Sequence, residues 1–117
     1  MADLAKLLEG RPPELASLCQ RVISTVEQFD DARIEVSPKL VVLHGTRRIF
    51  GSLRPTRRGL NVHLNLPQRV EDRRVTRSEP LTKKLTLHRF MLTSLDDFDD
   101  QFEHWIKNAH EAASTAR

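Results

Sequence analysis

Residues Leu60–Leu66, read LNVHLNL, alternate apolar and polar without a break. In an extended chain Leu60, Val62, Leu64 and Leu66 point one way, and Asn61, His63 and Asn65 the other. A helix would scatter these seven residues around its circumference, so the period of two requires a strand. One side of that strand must be buried and the other wet, as in an antiparallel sheet covered on a single face.

The neighbouring segments extend the sheet. Arg33–Val36, Leu40–His44 and Ile49–Arg54 read as strands, separated by Ser37-Pro38 and Gly45-Thr46 and closed by Pro55. Arg57-Arg58-Gly59 turns the chain into Leu60–Leu66. Residues 67–82 are polar and arginine-rich with no apolar period, which predicts a loop. Lys84–Leu92 predicts the last strand. Leu85 and Leu87 share one parity there, while Phe90 and Leu92 take the other. Either a bulge shifts the register near Arg89, or both faces are partly covered at that end.

Helical periods flank the strands. Leu4, Leu7 and Leu8 share a face within residues 3–9, which stop at Gly10. A second helix starts at Pro13, with a stripe of Leu15, Leu18, Cys19, Val22, Ile23, Val26 and Phe29, and Asp30-Asp31 closes it. A third is predicted from Ser94 as N-cap, with Asp97 as the carboxylate of a capping box. Its stripe is Leu95, Phe98, Phe102, Trp105, Ile106, Ala109 and Ala113. The expected fold is α+β: an antiparallel meander of four to five strands, with N-terminal helices and a long C-terminal helix packed on one face. A chain of 117 residues suits a single domain, residues 1–117.

Charge is unevenly placed. Lys39–Arg89 holds thirteen Lys/Arg against three acids, whereas Asp3–Glu35 and Asp96–Glu111 are acidic. The whole chain carries only +3, with a pI near 9.5. Such a polarised chain attracts phosphate, nucleic acid, anionic lipid or an acidic protein. No apolar run nears the ~18 residues of a membrane span, and MADLAKLLEG lacks the pattern of a signal peptide. The one cysteine, Cys19, cannot form an internal disulfide, which suits a reducing cytoplasm.

Two segments carry a family resemblance. PKLVVLHGTRRIFGSLRPTRRGLNVHLNLP (38–67) has a strand, a short turn, a Phe-small-x-aliphatic strand, a basic turn and an alternating strand. SLDDFDDQFEHWIKNAHEAA (94–113) has early acids, an aromatic-aliphatic stripe and a small-residue end. Over roughly residues 12–113 this order resembles a bacterial domain-of-unknown-function family labelled "predicted transport protein", found alone or fused to restriction-endonuclease-like nuclease domains. The resemblance implies a nucleic-acid setting and carries no catalytic motif.

The basic strip is the principal candidate surface. Arg57, Arg58, Arg73, Arg74, Arg77 and Lys84 are its expected anion-binding residues, their turns and the 69–77 loop converging on one sheet edge. Guanidinium groups suit phosphate and carboxylate, so the expected partner is nucleic acid backbone or an acidic protein. With no Tyr, one Trp and five Phe, mostly on core stripes, base stacking is not expected. Reversing Arg73 and Arg74 to Glu is expected to abolish binding and leave thermal stability intact. The bland alternative is a solvated face that keeps sheet edges apart. A second alternative is a homodimer in which acidic helix meets basic strip. A third is a small enzyme with a polar-face site of Asn61, His63 and His88, the two imidazoles side by side on neighbouring strands. No HxH, CxxC or HExxH spacing supports a metal, and no catalytic residue or cofactor is assigned. Asp96, Asp97, Asp99 and Asp100 complement a helix dipole or pair with the basic loop. Cys19 is expected to be buried and inert.

Overall fold

The computed structural model of the chain describes residues 4–115. Helix α1 spans Leu4–Leu7 and α2 spans Pro13–Glu27. Six strands follow: β1 Arg33–Val36, β2 Val41–His44, β3 Ile49–Pro55, β4 Leu60–Leu66, β5 Val75–Pro80 and β6 Thr86–Leu92. A 3₁₀ turn at Leu95–Asp97 leads into α3, Asp100–Thr115. The fold is α+β, with one fully antiparallel sheet in the order β1-β2-β3-β4-β6-β5. Asp3, the start of the acidic N-terminal flank, lies outside the described residues.

Burial follows the alternation. Val62, Leu64, Leu66, Phe90 and Leu92 line the inner face with Val41, Leu43 and Leu53, all at 0% exposure. Leu18, Cys19, Val22 and Val26 of α2 and Phe102, Ile106 and Ala109 of α3 close over them in one cluster. Burial raises the Cys19 thiol to about 11, so it stays protonated and inert. All of these helical stripes pack on the same side, which leaves the opposite face of the sheet uncovered.

Two turns show what the backbone requires. Gly59 has φ +152°, and a Cβ there would meet the Leu92 carbonyl oxygen at 2.3 Å. Thr56 locks this turn by donating both its N–H (2.8 Å) and its hydroxyl (2.9 Å) to the Gly59 carbonyl. Ser94 opens the 3₁₀ turn rather than the long helix. The Asp97 carboxylate reaches back to its N–H at 3.3 Å, and Asp99 accepts from Phe102 N–H at 2.9 Å to cap α3 itself.

Three expectations change. The segment expected as a loop over 67–82 contains a sixth strand, β5, on the sheet edge. Its sequence, VTRSEP, has no apolar period because it lies on the sheet edge, paired only with β6, and only Val75 at its start packs against the core. The meander is also broken, since β6 inserts between β4 and β5. Finally, β6 pairs with β4 in unbroken register, and the register shift near Arg89 lies instead in the β5–β6 ladder, between Val75 and Arg77 on β5. His88 holds the inner parity between Thr86 and Phe90, and Leu87 lies half-buried on the outer face.

Candidate functional site

Antiparallel strands reverse at every turn, so consecutive hairpins open at opposite ends of a sheet. Arg57 and Arg58, between β3 and β4, therefore share one end with Lys39 and with Arg73 and Arg74 before β5. Arg47 and Arg48 lie at the other end, with Arg69, Lys83 and Lys84. The strip does not converge on one edge. It brackets the uncovered face from both ends, with Arg33, Arg54, Arg77 and Arg89 lying on that face.

Arg74 is withdrawn from any such surface. It is 5% exposed. Its guanidinium donates to both Asp72 carboxylate oxygens (2.8 and 3.2 Å), to Asp99 (2.9 Å) and to the Asp97 carbonyl (2.8 Å). It also stacks over Trp105, 5.1 Å from the ring centre. The hydrogen bonds it donates to Asp72, and to a lesser degree to Asp99, raise its pKa further against the opposing effect of burial. In return Arg74 holds Asp72 and Asp99 below the usual carboxylate range. Arg73 is exposed but donates to Asp97 at 2.9 Å. Burial alone would raise the Asp97 pKa, but hydrogen bonds from Thr93, Arg73 and Ser94 outweigh it and hold the carboxylate ionised. Two of the four clustered aspartates, Asp97 and Asp99, thus pair with the basic loop, while Asp100 lies in the first turn of α3.

His63 and His88 do not meet. His63 opposes Arg89 across the β4–β6 ladder, while His88 opposes Leu64 on the inner face. His88 is fully buried. It accepts Val70 N–H on Nε2 at 2.8 Å and donates from Nδ1 to the Thr86 carbonyl at 3.1 Å. Burial holds its pKa below the ordinary histidine value, so it is a neutral anchor for the loop before β5.

The residue that does join His63 is one that sequence reading passed over. Ser52 is the register partner of His63 on β3, its Oγ 3.4 Å from Nδ1. On the other side, Asn65 Oδ1 lies 2.6 Å from Nε2, and Asn65 Nδ2 donates to the Ile49 carbonyl at 3.3 Å. That second bond fixes the amide, so Nε2 carries the proton and Nδ1 faces Ser52 with its lone pair. Burial, and secondarily the Arg89 charge, lowers the His63 pKa against the Asn65 bond. The order Ser–His–Asn resembles a nucleophile, base and orienter. Yet Ser52 sits in mid-strand, where the backbone N–H groups on both sides belong to sheet ladders, so no oxyanion site faces it. Asn61 lies on the same face, paired with Arg54 and Met91.

Two clefts lie off this face. One of about 230 Å³ runs between Arg57–Gly59 and the start of α2, where Glu14 also lines it. The other, about 600 Å³, lies between α2 and the start of α3, where Arg21 covers Phe98 at 4.8 Å. Among the described residues no group of three His, Cys, Asp or Glu is placed to hold a metal, and no helix is long and apolar enough to cross a membrane.

The charges separate by layer. Residues 33–92, the sheet and its turns, hold fourteen Lys/Arg and four Asp/Glu, while residues 4–31 and 94–115 hold four and eleven. About half of the acids of the helical layer are engaged, among them Asp31 with His110 (2.6 Å), Thr46 and Ser114, Glu103 with Lys107, and Glu14 with Leu95 N–H, while Glu9, Glu27, Asp30, Asp96 and Asp100 are exposed without an ion-pair partner among the described residues. On the sheet side Arg33, Arg54, Arg57, Arg58, Lys84 and Arg89 have no ion-pair partner among the described residues. Arg77 has one, Glu79 at 3.1 Å.

Residues 4–113 match the model of a family described as a domain of unknown function, DUF5655. No curated protein matches the chain, and no solved structure does.

Proposed function

We propose that this chain, which belongs to the DUF5655 family, is a non-catalytic binding module whose uncovered sheet face receives an anionic partner, and that the partner is the backbone of a nucleic acid. The supporting observation is the asymmetry of pairing. About half of the acids on the helical side are engaged within the chain, while cations on and around the open face are mostly unengaged. Unpaired guanidinium groups around a broad surface favour phosphate contacts that position a strand without reading its bases. Arg54, Arg57, Arg58, Arg77, Lys84 and Arg89 are the contact residues in this reading. Arg73 has a smaller part and Arg74 none. The reducing cytoplasm fits a module with a single buried thiol. A nuclease-linked setting, as the family resemblance implies, would supply such a partner.

A head-to-tail homodimer is the alternative reading, since Glu9, Glu27, Asp30, Asp96 and Asp100 are exposed acids with no ion-pair partner among the described residues. Fluorescence anisotropy with short single- and double-stranded DNA and RNA tests the reading. Binding should fall steeply with salt, by about 0.7 to 0.9 in the log–log slope for each phosphate neutralised. No binding at low salt sinks it. A salt-sensitive dimer by light scattering, without oligonucleotide binding, moves the partner to a second copy.

A further inference from the structure

We propose that the row Ser52–His63–Arg89–Arg77 is a phosphate seat, across which a nucleic acid strand lies perpendicular to the β-strands, and that seating a phosphate there loads a proton onto His63. This rests on the open face being the nucleic-acid surface.

Register makes the row. Ser52 opposes His63, His63 opposes Arg89, and Arg89 opposes Arg77. Each step is one strand spacing, about 4.8 Å, so the row crosses three spacings or roughly 14 Å. Continued the other way, it passes Val42 and ends at Glu35. A polyanion is thereby directed to the β6–β5 end. Arg89 and Arg77 stand directly opposite, and like charges in that position destabilise a sheet. Glu79 relieves Arg77 at 3.1 Å, whereas Arg89 is exposed and has no ion-pair partner among the described residues. A phosphate between them converts the repulsion into two charge-assisted contacts.

His63 is held for the same ligand. Asn65, only 6% exposed, is anchored to the Ile49 carbonyl and holds the Nε2 proton. Any second proton must therefore enter at Nδ1, beside the Ser52 hydroxyl. The charged groups around the imidazole are Arg54 on β3, Arg89 on β6, and Arg77 with Glu79 on β5. His44 and Glu35, farther along the face, satisfy each other at 2.8 Å. Cations outnumber acids in this circle, and burial, with a smaller effect from Arg89, holds the His63 pKa below the ordinary histidine value in the free protein. A phosphate reverses the local sign of charge. Nδ1 then gains a proton and becomes a donor, while Nε2 keeps its bond to Asn65.

The test is anisotropy with a single-stranded oligothymidylate at about pH 5.5 and about pH 7.5, with the His63 ring nitrogens followed by NMR. Wild type should bind more tightly at the lower pH. Arg89→Ala, an exposed position, should weaken binding about tenfold and lower the salt slope by about 0.7, one phosphate contact. His63→Gln should still bind, with the pH dependence reduced. Lys83→Ala, outside the row, should leave that dependence unchanged. Wild-type binding with Arg89→Ala equal to it, or with His63→Gln keeping the full pH dependence, overturns the seat and leaves the open-face reading standing. Absence of oligonucleotide binding at both pH values overturns both. If inorganic phosphate alone then protonates His63, the site belongs to a free phosphate ligand and the strand placement is wrong.

Discussion

Replacing Arg74 by Ala removes a side chain that joins the loop before β5 to the start of α3. Four hydrogen bonds, to Asp72 twice, to Asp99 and to the Asp97 carbonyl, are lost together with the stack on Trp105. The carboxylates recover some water, because Asp72 and Asp99 are 23% and 50% exposed as side chains. The Asp97 carbonyl belongs to a residue that is 4% exposed. Breaking a buried ion pair from one side costs about 3–5 kcal/mol, and the partial exposure of the acids places Arg74→Ala near the lower end, about 3 kcal/mol. Urea denaturation with a shared m-value measures this, and Tm should fall by roughly 10 °C. Arg73→Ala is the control: its guanidinium is 71% exposed, so its removal should cost less than about 1 kcal/mol. Equal effects from the two variants, or a loss below about 1 kcal/mol at Arg74, would refute the assignment of Arg74 to the core. The pH profile adds a second readout. Asp72 and Asp99 have depressed pKa values, so their contribution is full above the ordinary value of 3.8 and is lost as pH falls below it. Arg74→Ala should flatten that acid limb.

Other predictions concern single positions. Gly59→Ala places a methyl group against the Leu92 carbonyl at positive φ and should cost at least about 1–3 kcal/mol, read by thermal unfolding. His88 and His63 have pKa values lowered from 6.5. The unfolded chain therefore binds protons there that the native state refuses, and stability should decline as pH drops below 6.5, measured by urea midpoints from neutral pH downward. Asp31, lowered to about 2 chiefly by its hydrogen bonds from Thr46 and His110, ties the β2–β3 turn to α3. Asp31→Asn should speed amide exchange near the α3 C-terminus and in that turn, and unchanged protection would count against the tie.

The sheet and helices were legible wherever a face is buried, because burial imposes a period. Leu60–Leu66 and the stripes of α2 and α3 needed no more than that. β5 escaped because an edge strand answers to hydrogen bonding alone, and Thr76, Arg77, Ser78 and Glu79 show no apolar side. His88 disguised the parity of β6, since its ring is acceptable inside only through Val70 N–H and the Thr86 carbonyl, both set by tertiary structure. Arg73 and Arg74 look alike in sequence, yet one is exposed and the other buried. Only the position of Trp105 and Asp99 separates them. The His63–Asn65 contact follows from a spacing of two on one strand, but Ser52 required the register of β3 against β4.

The strand order gives Arg74 a significance besides stability. β5 pairs with β6 alone, so it can detach without breaking any other ladder. Its departure would bare the hydrogen-bonding edge of β6, a seven-residue strand with Leu87, Phe90, Met91 and Leu92. Such an edge is a template for another chain. The Arg74 clasp onto α3, at the point where β5 begins, is thus a guard against edge-to-edge polymerisation. Conditions that loosen it would announce themselves as aggregation before any loss of helix.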